Sequence, residues 1–290
     1  MSRKFHIAKL CIIGVGLIGG SVARALRECN CVDSIVGAGR NVANLQRAEQ
    51  LGVIDAYSTD LAHAVEDAEV VLVAVPLGAM REVFAQIKSH LPANALLTDV
   101  GSAKQSVIET VSEIFGDLPV NFVPGHPIAG TEKSGVEASF AELFQHRRVI
   151  LTPTEQTDAT MIAKAQALWQ ACGAQVVQMP AQHHDEVLAA TSHLPHMLAY
   201  ALVDTLARMA DSQEIFEFAA GGFRDFTRIA SSDPTMWHDI CLANRTQLVK
   251  VMRAFGDDLQ RLCDAMENGD GEFLKTTFSR AKSARDKFCG

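Results

Sequence analysis

The sequence predicts an α/β protein, with a Rossmann-type dinucleotide-binding domain over residues 1–180 followed by an all-helical domain over 181–290. Three observations predict it. Short apolar runs of strand length alternate with helical patterns through the first half. A glycine-rich turn, Gly14-Val15-Gly16-Leu17-Ile18-Gly19, separates the first such run from the first helical pattern. From Gln182 onward the strand-like runs stop and only helical spacing continues.

Residues 8–13, AKLCII, form the first expected strand, and a helical pattern follows over Ser21–Arg27. The intervening G-x-G-x-x-G therefore has strand before it and helix after it, the context in which it binds a dinucleotide. Its glycines permit a tight turn, close approach to a pyrophosphate, and close helix–sheet packing. The helix N-terminus adds free N–H groups for the phosphates. Gly14, Gly16, Leu17, Ile18 and Gly19 are thus expected to hold cofactor. The second strand, Ser34–Arg40, ends in Gly39 and Arg40 with no carboxylate for a ribose 2′-hydroxyl. An arginine at that place suits the 2′-phosphate, so NADP is expected over NAD.

Val70–Val75 is an unbroken apolar strand ending at Pro76, the pattern of a sheet covered on both faces. Val75 and Pro76 are expected beside the cofactor. A helix over Arg81–His90 and a strand over Ala95–Val100 follow, then Gly101-Ser102-Ala103-Lys104-Gln105 opens a helix. Ser102 with Gln105 fits a capping box, and Ser102 also falls at the ligand-binding edge of the sheet. The run VNFVP at 120–124 leads into Pro124–Gly135, PGHPIAGTEKSG, which places His126 just past a strand end, between Gly125 and Pro127. Ligands bind outside the carboxyl ends of strands in such sheets. Val149–Thr152 and Ala174–Val177 are two further expected strands, bracketing a helix over Ala159–Ala171.

In the second half a long helical pattern, Glu186–Ala207, carries Ser192-His193-Leu194-Pro195-His196, with a kink expected at Pro195. His193 and His196 have no third ligand at a natural metal spacing, so no metal is expected. His183 and His184 are expected on a solvated helix start. Gly221–Arg228 follows, in which Arg228 offers a guanidinium fork suited to a carboxylate. Leu248, Val251, Met252, Phe255, Leu259, Leu262 and Met266 repeat at helical spacing, and Asn268–Gly271 breaks that stripe before a last helix.

Composition narrows the class. A formal net charge of −8 argues against nucleic acid, and means that an anionic small-molecule substrate must be met by a few local cations. No stretch reaches 18 uninterrupted apolar residues, so no membrane span is expected. The apolar run Leu10–Gly20 carries the first strand and its glycine turn, which excludes it as a cleaved leader. Seven scattered cysteines, none in a CxxC pair, suggest free thiols in a reducing cytoplasm.

The motifs GVGLIGGS, TDVGSAK, PGHPIAGTEKSG, SHLPH and GGFRDFTRIASSDPTMW occur in this order. Together they resemble the prephenate/arogenate (cyclohexadienyl) dehydrogenases of tyrosine biosynthesis, over nearly the whole chain. The resemblance implies oxidative decarboxylation of a cyclohexadienol, with hydride transfer to a nicotinamide. It implies His126 as the general base on the ring hydroxyl and Ser102 as the residue orienting that hydroxyl or the histidine. It makes Arg228 and His196 contacts to substrate carboxylates, with His193 and Thr131 lining the same pocket. Glu132 would face the far end of the substrate and favour the ammonium of arogenate over the pyruvyl group of prephenate. A dimer through the helical half is also implied, with no room for a fused mutase or regulatory domain. A β-hydroxyacid-type dehydrogenase would need a lysine on the long helix, where this chain has His193 and His196. A catalytically silent NADP-binding sensor would leave His126, Ser102 and Arg228 without a purpose.

Overall fold

The computed structural model describes residues 5–131 and 133–289, so Glu132 lies outside the described residues. Six parallel strands form the main sheet: β1 (Ile7–Ile13), β2 (Val32–Ala38), β3 (Ala56–Ser58), β4 (Val70–Val73), β5 (Leu96–Asp99) and β6 (Phe122–Val123). Their order is β3-β2-β1-β4-β5-β6. Five helices connect them: α1 (Leu17–Glu28), α2 (Val42–Gln50), α3 (Leu61–Val65), α4 (Leu77–Ile87) and α5 (Gln105–Phe115). Side chains alternate across a strand, and both faces of this sheet are covered. Leu10, Ile12, Val70 and Leu72 join one core with Val22 and Leu26 of α1. Cys11, Ile13, Val71 and Val73 join a second with Met80 and Phe84 of α4. That double burial is why the strands are continuously apolar rather than alternating. The strand order reverses between β1 and β4, which opens a crevice at their carboxyl ends.

A second sheet is built from β7 (Gly125–Pro127), β8 (Arg148–Leu151) and β9 (Gln175–Gln178), with α6 (Ala159–Ala171) connecting the last two. Here one expectation is corrected in part. His126 does come just past the end of β6, but it lies within a further strand, opposite Ile150 in the antiparallel pair β7–β8. Pro124 breaks the run so that β6 and β7 belong to different sheets. β7 crosses close to the end of β5, where a Cβ at Gly125 would lie 3.0 Å from the Asp99 carbonyl oxygen.

The helical part begins with α7 (Ala181–Leu188), a π turn (Ala189–His193) and α8 (Leu194–Ala207). The irregularity expected at Pro195 takes the form of that π turn, in the residues just before it. Proline supplies no N–H to the preceding turn, and a wider turn absorbs the defect. Then come α9 (Ser212–Glu217), α10 (Gly221–Thr227), a 3-10 turn (Arg228–Ser231) and α11 (Pro234–Ala243). Asp233 caps α11 by accepting from the N–H groups of Thr235 and Met236, at 2.7 and 3.0 Å.

The chain divides into two compact units, one ending at Arg245 and one starting at Thr246. The second holds nearly all of α12 (Arg245–Glu267), together with α13 (Gly271–Cys289). Gly269, at φ +67°, makes the break between them. On α12, Val249, Met252, Phe255 and Leu259 keep 38–51% of their surface exposed.

The expectation of free thiols holds for Cys11, Cys172, Cys241 and Cys263, whereas Cys29 and Cys31 are joined as a disulfide. Asn30 between them adopts φ +53°, which folds the two cysteines toward each other. Burial pushes the Cys11 and Cys172 thiols up to about 12. Among the described residues, no helix is long and apolar enough to cross a membrane.

Candidate active site

The glycine turn at the end of β1 divides its labour among three positions. Gly14 has φ +97°, and a Cβ there would overlap the carbonyl of Ala74 and meet Val75. A Cβ at Gly19 would overlap the carbonyl of Gly14, so α1 packs on the strand end only through a glycine. Gly16 differs: nothing lies within 4 Å of where its Cβ would be. Gly16 is also the N-cap of α1, with no side chain capping the helix. The N–H groups of Leu17, Ile18 and Gly19 therefore open onto the space above Gly16, a cradle for an anionic group. Val75, just before α4, stands against Gly14.

Arg40 lies two residues beyond β2, exposed and with no protein partner among the described residues. Asp33, at the opposite end of that strand, pairs with His6. The glycine turn thus fits the pyrophosphate of a dinucleotide.

His126 retains 8% of its surface. Its Nδ1 lies 2.8 Å from Nε2 of His184, and Nδ1 of His184 lies 2.8 Å from Oδ1 of Asp185. Asp185 in turn accepts from the backbone N–H groups of Lys104 (2.8 Å) and Gln105 (3.0 Å). Nε2 of His126 has no protein partner among the described residues. Burial, then the neighbouring His184, Lys104 and His193, holds the His126 pKa well below its usual value, so the ring is neutral at physiological pH.

Beneath it, Lys104 is fully buried and bonds Asp99 and the carbonyl of Gly125, the latter at 2.7 Å. Asp99 also accepts from the N–H groups of Gly101 (2.7 Å) and Gly125 (3.3 Å). The turn carrying Ser102 and the strand carrying His126 are therefore pinned to one buried ion pair. Ser102 itself does not form the expected capping box. The helix begins two residues later, behind Lys104, and Asp185 from α7 takes the cap's place. Ser102 is left half-buried, with its hydroxyl unengaged among the described residues.

Asn244 extends the network by donating to the carbonyl of Asp185 (2.8 Å) and to Nδ1 of His193 (3.2 Å). His193 is 1% exposed, its pKa lowered to about 4, chiefly by burial. Its Nε2 is buried with no protein partner among the described residues, as is Nε1 of Trp237, whose ring stands edge-on 6.0 Å away. His196 stacks on the other side of Trp237 at 3.8 Å. Its Nδ1 donates to the Ser192 carbonyl at 2.9 Å, so its Nε2 can donate to a carboxylate only as the imidazolium.

Two further expected site residues are exposed. Arg228 is exposed and opens the 3-10 turn that packs on α8, the helix carrying His196; Tyr200 ties the two by bonding the Ser232 carbonyl at 2.7 Å. Thr131 is exposed and folds locally onto the backbone of Lys133. It borders a cleft of about 540 Å³ with Glu137, Ser139 and Phe140. Among the described residues there is no cluster of three His, Cys, Asp or Glu able to hold a metal.

Sequence reasoning overlooked His184, Asp185, Asp99, Lys104, Asn244 and Trp237. His184 was expected in solvent and is fully buried. Its partner lies 58 residues away in the chain, a distance no local pattern bridges. Asp99 did leave a signal, as a carboxylate closing an otherwise apolar strand.

Comparison with known proteins agrees with this architecture. A family model for the nucleotide-binding domain of prephenate dehydrogenase matches residues 22–178, and one for its dimerization domain matches 180–280. A cyclohexadienyl dehydrogenase of Zymomonas mobilis is 42% identical, covering 97% of this chain and 94% of its own. A prephenate dehydrogenase of Bacillus subtilis is 35% identical, covering 95% of this chain and 74% of its own. A crystal structure of prephenate dehydrogenase from Aquifex aeolicus, solved with hydroxyphenyl propionate and NAD+, superposes with a TM-score of 0.92. It shares 37% identity and covers 99% of this chain and 100% of its own. With both domain models matched in sequence order and both relatives aligned over at least 95% of this chain, the chain belongs to the prephenate dehydrogenase family.

Proposed function

We propose that this enzyme oxidatively decarboxylates prephenate, arogenate or both, with hydride transfer to a nicotinamide dinucleotide held at the glycine cradle. The observation that carries the reading is the neutral His126, with Nε2 unpartnered, set at the same end of the molecule as that cradle. When bound, the cofactor supplies the hydride acceptor. Nε2 of His126 takes the proton of the ring hydroxyl as hydride leaves the carbinol carbon. The bond to the departing carboxylate then breaks, its electron pair aromatises the ring, and CO2 leaves. Ser102 orients the hydroxyl or the histidine, and Arg228 with His196 meets the substrate carboxylates. His193 and Thr131 line the pocket. The relatives, a cyclohexadienyl dehydrogenase and a prephenate dehydrogenase among them, support the substrate class.

Two finer readings go with it. Arg40, exposed at the end of a strand that carries no carboxylate there, supports NADP over NAD. Glu132, adjacent to Thr131, supports arogenate, because a carboxylate near the substrate's side chain attracts an ammonium and repels a pyruvyl carboxylate. We read the working form as a cytoplasmic homodimer through the helical domain, residues 181–290; the exposed apolar stripe of α12 supports the dimer.

The test is a four-way initial-rate assay, prephenate or arogenate with NAD+ or NADP+, following the reduced cofactor. Turnover led by arogenate with NADP+ supports every part. Turnover led by prephenate with NAD+ keeps the reaction and overturns the roles given to Arg40 and Glu132. Cofactor binding with no turnover in any combination overturns the reading itself.

A further inference from the structure

We propose that Asp185 and His184 form a positioning relay that fixes the tautomer of His126, and so decides whether its Nε2 accepts the substrate proton. The inference rests on the dehydrogenase reading above and adds two residues to it.

The argument starts at Asp185. Both of its oxygens accept backbone N–H groups, Oδ1 from Lys104 and Oδ2 from Gln105. Both donors favour the carboxylate over the neutral acid, whose one outlet for a proton would be Nδ1 of His184. Burial raises its pKa, but the bonds from His184, Lys104 and Gln105 outweigh that and hold it below the usual value. An ionised Asp185 can only accept from Nδ1 of His184, which places the proton of that ring on Nδ1.

His184 is fully buried. Burial first, then Lys104, outweighs the pull of Asp185 and Asp99 and lowers its pKa, leaving the ring neutral. Neutral, and protonated at Nδ1, it presents a lone pair at Nε2. The 2.8 Å contact to His126 is then a hydrogen bond only if His126 donates from its own Nδ1. The remaining tautomer of His126 has a bare Nε2, the nitrogen without a protein partner. Three links, each forced by the one before, turn a backbone-anchored carboxylate into a catalytic lone pair.

The charged and titratable groups facing the relay from other elements are Asp99 at the end of β5, Lys104 before α5 and His193 in the π turn. Lys104 is committed to Asp99 and the Gly125 carbonyl, and His193 receives Asn244 at Nδ1, so none offers His184 a competing proton acceptor. The arrangement also explains why Asp185, rather than Ser102, caps α5. The cap is what keeps the carboxylate ionised and aimed.

Histidine labelled with 15N provides the direct test in the wild-type enzyme. His126 is expected as the Nδ1–H tautomer across neutral pH; an Nε2–H tautomer would overturn the relay. Kinetics test the same point independently. Asp185→Asn presents an amide donor, turns His184 around and so puts the His126 proton on Nε2. Its kcat is expected to fall on the order of 10³-fold with KM little changed, as when the carboxylate behind a catalytic histidine is made an amide. His184→Leu removes the acceptor and is expected to lose roughly 100-fold in kcat, whereas His184→Gln, whose amide oxygen can accept from Nδ1, recovers most of it. Equal rates for the Leu and Gln variants, each still binding cofactor and melting as one transition, would sink the proposal. A wild-type enzyme without dehydrogenase turnover would instead remove the reading of function beneath it, while the 15N spectrum still reports the tautomer.

Discussion

Single residues in the cofactor cradle carry different burdens, and the difference can be measured. Gly14 sits at φ +97° against the Ala74 carbonyl, so Gly14→Ala combines a strained backbone with an overlap that flexible atoms cannot relieve. It is expected to cost about 1–3 kcal/mol of stability. Gly16 has φ −102° and open space above it. Gly16→Ala should leave the melting temperature nearly unchanged, yet weaken the dinucleotide by roughly tenfold or more, because the new methyl occupies the phosphate's place. Thermal melts with cofactor titrations on both variants separate the two burdens. Equal melting temperatures, or an undiminished affinity in Gly16→Ala, would contradict the division. These glycines were legible in the sequence because the turn demands a dihedral and a clearance that one residue type supplies. His126 was legible for a related reason, since a histidine held between glycine and proline is an unusual local arrangement. Its partners were not, because a hydrogen bond between residues 126 and 184 leaves no periodic trace in either segment.

At the scale of elements, the site depends on how the end of β5, the start of α5 and β7 are held together. Their common anchor is the buried pair of Asp99 and Lys104, with the backbone of Gly101 and Gly125 bound to it. Burying two charges is costly, and the surrounding hydrogen bonds are what offset the loss of water. Removing one partner is therefore worse than removing both. Lys104→Met is expected to lower stability by about 3–5 kcal/mol, measured by urea denaturation, because it leaves the Asp99 side chain buried without its cation. The double variant Asp99→Asn, Lys104→Met should recover a large part of that loss. A single variant as stable as wild type would show that the pair contributes nothing to holding the site. Strand and helix identities in this region followed from apolar runs and turn residues, but sheet membership did not. The run Val120–Pro124 reads as a single strand ending before His126, and Pro124, with the close approach of Gly125 to β5, divides the segment between two sheets. The solvated start expected for α7 holds for His183, which is exposed, and fails for His184: the segment is polar in sequence, yet it delivers His184 and Asp185 to the interior.

For the whole molecule, the alternation of the first half and the helical second half were both readable, because each follows from where apolar residues must be buried. The stripe on α12 raises the remaining question of what a helix does with apolar residues that its own chain leaves open. Val249, Met252, Phe255 and Leu259 recur at spacings of three and four, which lines them along one face. Each keeps 38–51% of its surface exposed, and Met266 on the same helix keeps 61%. An apolar stripe of this length marks an association surface, and the stretch falls inside the match to the family's dimerization domain. A second copy of the chain is the partner this favours, since a two-fold axis sets the same stripe against itself. Placing a charge at its centre, Leu259→Asp, would set two carboxylates near the axis and bury both. The wild-type protein is expected to sediment as a dimer and the variant as a monomer at micromolar concentration, with a dissociation constant raised at least 100-fold, a cost of about 3 kcal/mol. A wild-type protein that sediments as a monomer at every concentration would remove this reading of α12, and a variant that stays dimeric would move the interface to the other helices of the domain.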